Sequence, residues 1–214
     1  MASRPPEYIV VEGPIGVGKT TLARRLSESL DISLLLERAD ENPFLPRFYQ
    51  DPRAAALPTQ LHFLFQRARQ MEMLRQSDLF HSAHVTDFLV QKDELFARAT
   101  LNSDELDLYY QVYNRLALDA PAPDLVIYLQ APVEVLLRRI QARGVAHERR
   151  IEEAYLKRIA DAYIEFFYHY HASSLLIVNT AELNLAEGTS NYELLLERVR
   201  ANSPGRHFLN PREL

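Results

Sequence analysis

The apolar positions of this chain fall into two kinds of run, and their alternation predicts the fold. Short apolar-rich blocks occur at Tyr8-Ile9-Val10-Val11, Ser33-Leu34-Leu35-Leu36, Ala83-His84-Val85-Thr86, Leu125-Val126-Ile127-Tyr128-Leu129 and Leu175-Leu176-Ile177-Val178-Asn179. Their length and continuity are those of parallel strands covered on both faces. Between them the period is helical. A helix is expected from about Gly18 to Leu30, and another from about Leu57 to Arg75 with Leu61, Leu64, Phe65, Ala68, Met71 and Leu74 as its stripe. Two more are expected over Asp93–Thr100 and Ser103–Leu118, the second with Ser103 as N-cap and Asp104 and Glu105 in its first turn. Pro132 suits the first turn of a helix that runs to about Arg143, with Gly144 as its stop. Tyr155, Ile159, Tyr163 and Phe167 mark a long helix, and Tyr192–Arg200 a terminal one. The remaining tail, about 201–214, contains Pro and Gly and is expected to be poorly ordered. Strands alternating with helices predict one α/β domain over 1–214: a five-stranded parallel sheet with right-handed crossovers, flanked by helices.

Polar residues that interrupt this pattern are informative. Gln60 and Arg67 lie on nearly the same side of their helix and flank Leu64 in the apolar stripe. Polar groups there are costly unless hydrogen-bonded, so the two are either a satisfied structural pair or contacts for a polar ligand. Two predicted strands end in acids, Glu37 and Asp87. The C-terminal edge of a parallel sheet is where open α/β folds bind ligands. Asp87 there is either a strand-end cap or a group that orients Mg²⁺ and its water.

Composition narrows the field. The 214 residues carry a net charge of −5, which gives no general argument for nucleic acid as partner. The chain has no cysteine, which excludes disulfides and thiolate metal sites and suits a reducing compartment such as the cytoplasm. No run approaches a membrane span, and the N-terminus has no signal-peptide core. The histidine pairs His81/His84 and His169/His171 lack metal-site spacing and are expected at the surface.

The sharpest chemistry lies directly after the first strand. Gly13-Pro14-Ile15-Gly16-Val17-Gly18-Lys19-Thr20-Thr21 contains the G-x-x-x-x-G-K-[ST] phosphate loop, and three of the chain's six glycines sit in it. Glycines let backbone N–H groups turn inward around phosphate oxygens, and the following helix adds its positive end. Lys19 reaches the β- and γ-phosphates, and the Thr20 hydroxyl suits Mg²⁺. Arg139 and Arg143, four apart on one helix face, imply an anionic partner. The charge-rich stretch that follows, about 143–150, is either a solvated loop or a basic lid.

Taken together, Glu12–Thr21, Glu37 with Asn42-Pro43-Phe44-Leu45, Phe48-Tyr49, Gln60 with Arg67, Asp87 with Asp93, and Arg139…Arg143-Gly144…Glu148 resemble the deoxynucleoside kinases. The resemblance is strongest to the bacterial deoxyadenosine/deoxyguanosine kinase branch. It implies a P-loop kinase fold with a short lid, ATP and Mg²⁺, a deoxynucleoside acceptor, a cytoplasmic homodimer, and no nucleic acid or membrane partner. It also implies roles. Glu37 would take the proton of the 5′-hydroxyl; Lys19, Arg139 and Arg143 would stabilise the transferring phosphoryl group. Thr20 and Asp87 would hold the metal. Tyr49 and Glu148 would bind the sugar 3′-hydroxyl, with Gln60, Arg67 and Asp93 at the base.

This sequence departs from the family pattern at three places. Phe88 follows the strand-end acid where many animal members have arginine. Val145 replaces the second lid arginine, leaving Arg149 or Arg150 as substitutes. Ala55 stands where an aromatic floors the sugar site. Two other readings share the loop: a thymidylate-type nucleoside monophosphate kinase and a nucleotide-binding regulatory protein. Against the first, the segment after the second strand offers Glu37, Asp40 and Glu41, which suits a neutral hydroxyl better than a phosphate.

Overall fold

The computed structural model describes residues 5–78, 83–116, 120–182 and 190–210. Among these, the strands are β1 (Tyr8–Glu12), β2 (Ser33–Leu35), β3 (His84–Thr86), β4 (Leu125–Gln130), β5 (Ser174–Asn179) and β6 (Arg206–Leu209). The helices are α1 (Lys19–Leu30), α2 (Leu45–Phe48), α3 (Pro52–Asp78), α4 (Lys92–Thr100), α5 (Ser103–Leu116), α6 (Val133–Arg143), α7 (Glu153–Tyr168) and α8 (Ser190–Ala201).

All strand pairings are parallel, in the order β2-β3-β1-β4-β5-β6. The alternation of side chains along each strand builds two cores. Ile9, Val11, Ile127, Leu129, Leu176 and Val178 face Leu22, Leu26, Leu136, Ile140, Leu195 and Val199 of α1, α6 and α8. Tyr8, Val10, Val126, Tyr128, Leu175 and Ile177 face Met71, Leu74, Leu95, Tyr163 and Phe167 of α3, α4 and α7.

The sheet has six strands, not the five expected, and the sixth lies in the tail that was expected to be poorly ordered. β6 pairs with β5 from Leu175↔Arg206 to Val178↔Leu209. Leu209 is buried, and the Arg206 guanidinium donates to the carbonyls of Phe167, Tyr168 and Tyr170. Its four residues hold one apolar pair, too short a run to stand out by periodicity. The surface placement expected for His84 is also corrected. It is buried, with its ring 4.6 Å from that of Tyr8, while His169 and His171 are exposed and His81 lies outside the described residues. No described helix is long and apolar enough to cross a membrane.

Register decides where the polar strand ends meet. Val10, Thr86 and Leu35 are neighbours across β1, β3 and β2. The phosphate loop, Asp87 and Glu37 follow within three residues of that row and so share one sheet edge, adjacent strands being ~4.8 Å apart.

Candidate active site

The loop after β1 is shaped by what a side chain would strike. At Gly13, φ is +147°, and a Cβ would stand 2.3 Å from the Leu129 carbonyl oxygen. At Gly16, φ is +83°, and a Cβ would meet the Leu136 carbonyl oxygen at 2.9 Å and Ile140 at 2.8 Å. Both positions hold the loop against β4 and α6. Gly16→Ala must therefore distort the loop, and we expect ATP affinity to fall about tenfold or more while deoxynucleoside affinity stays within about twofold. Calorimetric titration with each ligand checks this.

Lys19 Nζ donates to the carbonyls of Gly13 (2.7 Å) and Pro14 (3.1 Å), so its ammonium already sits inside the loop. Burial lowers its pKa to about 8, aided by Lys92 and opposed by Glu12, Glu37 and Asp87. Thr20 Oγ1 donates to Asp87 Oδ2 at 2.5 Å, which brings together the two oxygens expected to hold a metal. Glu12, fully buried, accepts from the N–H of Gly13 (2.9 Å), the N–H of Leu89 (2.8 Å) and the Tyr163 hydroxyl (2.8 Å). One carboxylate thus joins the phosphate loop to the segment that leads into α4.

Glu37 is fixed through its backbone from three sides. Its N–H donates to Asp87 Oδ1 (2.7 Å); Gln70 donates to the preceding carbonyl of Leu36 (2.8 Å) and Gln66 to the following carbonyl of Arg38 (3.1 Å). The last two come from α3, which Asn42 ties to the same connection by donating to the Thr59 carbonyl. The Glu37 carboxylate then accepts from two buried cations, Arg67 on Oε1 and Lys92 on Oε2, the latter at 2.8 Å. Arg67 also donates to Asp93 Oδ1, and Asp93 Oδ2 is buried with no hydrogen-bond partner.

Burial alone would raise the Glu37 pKa, but Lys92 and Arg67 outweigh it and hold the carboxyl at about 2. The folded value lies below the model-peptide 4.5, so Glu37 contributes stability that is present above pH 4.5 and lost as pH falls towards 2. For Asp93 burial wins over the Arg67 charge, and its pKa rises to about 6.

Most of the residues expected from sequence line one cavity of about 140 Å³: Ile15, Gly16, Lys19, Thr20, Glu37, Tyr49, Gln60, Arg67, Asp87, Arg143 and Glu148. Phe63, Phe96 and Tyr155 complete its aromatic wall. Arg143 donates to Glu148 across the start of the lid at 2.5 Å, and His147 stacks on Tyr49 with ring centroids 5.9 Å apart. Gly13, Pro14, Val17, Gly18 and Thr21 belong to the loop and helix start behind this lining.

Two placements differ from expectation. Asp93 does not line the cavity; it lies behind Arg67 and holds it. Arg139 does not line it either. Its guanidinium donates to the Thr180 hydroxyl (3.0 Å) and carbonyl (2.6 Å) beyond β5 and stands 3.5 Å from the Val17 carbonyl. The four-residue spacing with Arg143 is real, but Thr180, the residue after β5, supplies acceptors for Arg139. Arg149 and Arg150 are exposed and outside the lining. Phe88 is buried in the core, and Ala55 packs with Leu45 and Phe48.

Lys92 and Glu12 were missed. Lys92 had one signal: a cation in the first turn of a helix opposes the helix dipole, which calls for a carboxylate partner.

This geometry meets its relatives directly. The deoxynucleoside kinase family matches residues 9–203. The chain belongs to the deoxynucleoside kinase family. Its reaction class is ATP-dependent phosphoryl transfer, and the thymidylate-type alternative is not favoured. Among curated kinases, the chain is 35% identical over 157 residues to a deoxyguanosine kinase of Bacillus subtilis (strain 168), covering 73% of this chain and 76% of that one. It is 31% identical over 166 residues to a deoxyadenosine kinase of Dictyostelium discoideum, covering 74% and 66%. The fold matches a deoxyadenosine kinase from M. mycoides with bound dATP, at TM-score 0.76 and 22% identity over 90% of this chain and 98% of that chain.

Proposed function

We propose that this deoxynucleoside kinase transfers the γ-phosphoryl group of ATP to the 5′-hydroxyl of a purine deoxynucleoside, with Glu37 as general base. The observation that carries it is that one cavity is lined both by a phosphate loop with Lys19 and Thr20 and by the half-buried carboxylate of Glu37. The 5′-oxygen forms a bond to γ-phosphorus as the bond from that phosphorus to the β-bridging oxygen breaks. The hydroxyl proton passes to Glu37, and ADP leaves with the electron pair. A carboxyl held at about 2 is a weak base, yet it serves, because the loose transition state depends on positioning and charge more than on base strength.

Lys19 and Arg143 place positive charge on the phosphoryl oxygens. In this reading Arg139 acts from behind the loop, through Val17 and Thr180. Thr20 and Asp87 form an all-oxygen pair, the donor set a hard divalent cation requires, and would hold Mg²⁺, which supplies charge neutralisation at the phosphates. Gln60 is buried in the wall, where its amide offers one donor and one acceptor to a base edge. Arg67, held by Asp93, lies beside it. Tyr49 and Glu148 face the same cavity and suit the 3′-hydroxyl.

The purine assignment rests on the names of the relatives, several of them deoxyguanosine or deoxyadenosine kinases. With Mg·ATP and each of the four deoxynucleosides, we expect kcat/KM for deoxyguanosine or deoxyadenosine to exceed that for thymidine by about 10²-fold or more. A pyrimidine preference would overturn the purine assignment and leave the kinase reading intact.

The absence of cysteine accords with a cytoplasmic location. A homodimer is proposed through the open face between α4 and α7, where Leu95, Ala162 and Phe166 line a broad groove. A monomer mass by light scattering at assay concentration would refute it.

A further inference from the structure

Beside Glu37 the cavity wall also carries the charged side chain of Lys92. Lys92 begins α4, is 7% exposed, and places Nζ 2.8 Å from Glu37 Oε2. It is held there by the phosphate loop's own support. Glu12 accepts from Leu89 N–H, and the Leu89 carbonyl in turn accepts from Lys92 N–H at 3.1 Å. The Lys92 ammonium also lies 5.6 Å from the Phe96 ring centroid, on a wall of the same cavity.

A buried ammonium is costly, and Glu37 already has one guanidinium on Oε1. With Lys92 on Oε2 and Arg67 on Oε1, each carboxylate oxygen of Glu37 accepts from a cation. No cation comes from the residue after Asp87, because Phe88 is turned into the core. Arg67 is anchored on Asp93 as well, whereas among the described residues Lys92 pairs with Glu37 alone.

We propose that Lys92 is a positioning residue for phosphoryl transfer: its ammonium holds Glu37 Oε2 against the acceptor's 5′-hydroxyl. This rests on Glu37 as the base. The contact acts through Glu37, so its loss falls on turnover and not on binding of either substrate.

The test is a set of variants assayed under Mg·ATP with the preferred deoxynucleoside: Lys92→Met, Lys92→Gln, Lys92→Arg, Glu37→Gln and the double variant Lys92→Met/Glu37→Gln. The neutral Lys92 variants are expected to lose about 10²-fold in kcat, with KM for both substrates within about threefold. Lys92→Arg is expected to recover to within about tenfold of wild type, because a guanidinium can reach the same carboxylate oxygen. In the double variant, removing Lys92 is expected to cost less than about threefold beyond Glu37→Gln alone, since its partner charge is already gone.

Wild-type kcat in both neutral variants, no recovery in Lys92→Arg, or the full 10²-fold loss repeated on the Glu37→Gln background would each overturn the proposal. Lys92→Gln retains length and polarity and carries the reading if Lys92→Met fails to fold. Full turnover in Glu37→Gln is a separate outcome: it removes Glu37 as base and is visible without any Lys92 variant.

Discussion

Glu37→Gln is expected to lower kcat by about 10³-fold while ATP affinity stays within about threefold. The amide has the shape of the carboxylate and can still accept from one cation, but it cannot take the hydroxyl proton. The backbone at residue 37 stays pinned by Asp87, Gln66 and Gln70, none of which touches the exchanged atoms. Donor binding is expected to use Lys19 and the phosphate loop, which among the described residues share no hydrogen bond with the exchanged atoms. Steady-state kinetics paired with ATP titration separates the two effects. A kcat within about tenfold of wild type would remove Glu37 as base, because positioning alone would then account for the rate.

The largest stability effect is expected at Arg67. Its guanidinium neutralises both Glu37 and Asp93, and the completely buried Asp93 carboxylate has no other hydrogen-bond partner among the described residues. Arg67→Met preserves much of the volume but leaves Asp93 uncompensated in the interior, a loss of about 3–5 kcal/mol. For a chain of this size that corresponds to a fall in Tm of roughly 10 °C.

The pH dependence has a definite sign. Burial already raises Asp93 above its ordinary 3.8, to about 6, and removing Arg67 raises it further. A carboxyl whose folded pKa is raised contributes stability at low pH that is lost as pH rises through the folded value. The Arg67→Met deficit should therefore be larger at pH 8 than at pH 5, and Arg67→Met/Asp93→Asn should recover part of it. Thermal unfolding of the three proteins at both pH values decides this; a deficit under about 1 kcal/mol would show that Arg67 is dispensable to the core.

What could be read from the chain in advance follows a physical division. The phosphate loop, Glu37 and Asp87 were legible because each is local: a polar residue at the end of an apolar block, carried by the sheet to its ligand-binding edge. Gln60 and Arg67 were visible as polar breaks in a stripe, but whether they served the core or a ligand depended on partners from other elements. Arg67 does both: it faces the cavity and stands on Asp93.

Arg139 shows the limit of periodicity, which assigns a helix face and not the group that faces it. Thr180, forty-one residues on, takes its hydrogen bonds. Lys92 belongs with these long-range cases, being paired with Glu37 across fifty-five residues. β6 was illegible for a different reason. A four-residue edge strand with two polar residues carries too little pattern, and its pairing with β5 comes from tertiary context.

The central claim is that the γ-phosphoryl group goes to a deoxynucleoside's 5′-oxygen. The most direct measurement is product analysis with Mg·ATP and either deoxyadenosine or 2′,5′-dideoxyadenosine, which differs only in lacking the acceptor oxygen. Equimolar ADP and deoxyadenosine 5′-monophosphate are expected from the first, and neither from the second above the ATP-only background. A phosphorylated product from 2′,5′-dideoxyadenosine, or phosphate on the 3′-oxygen of deoxyadenosine, would contradict it.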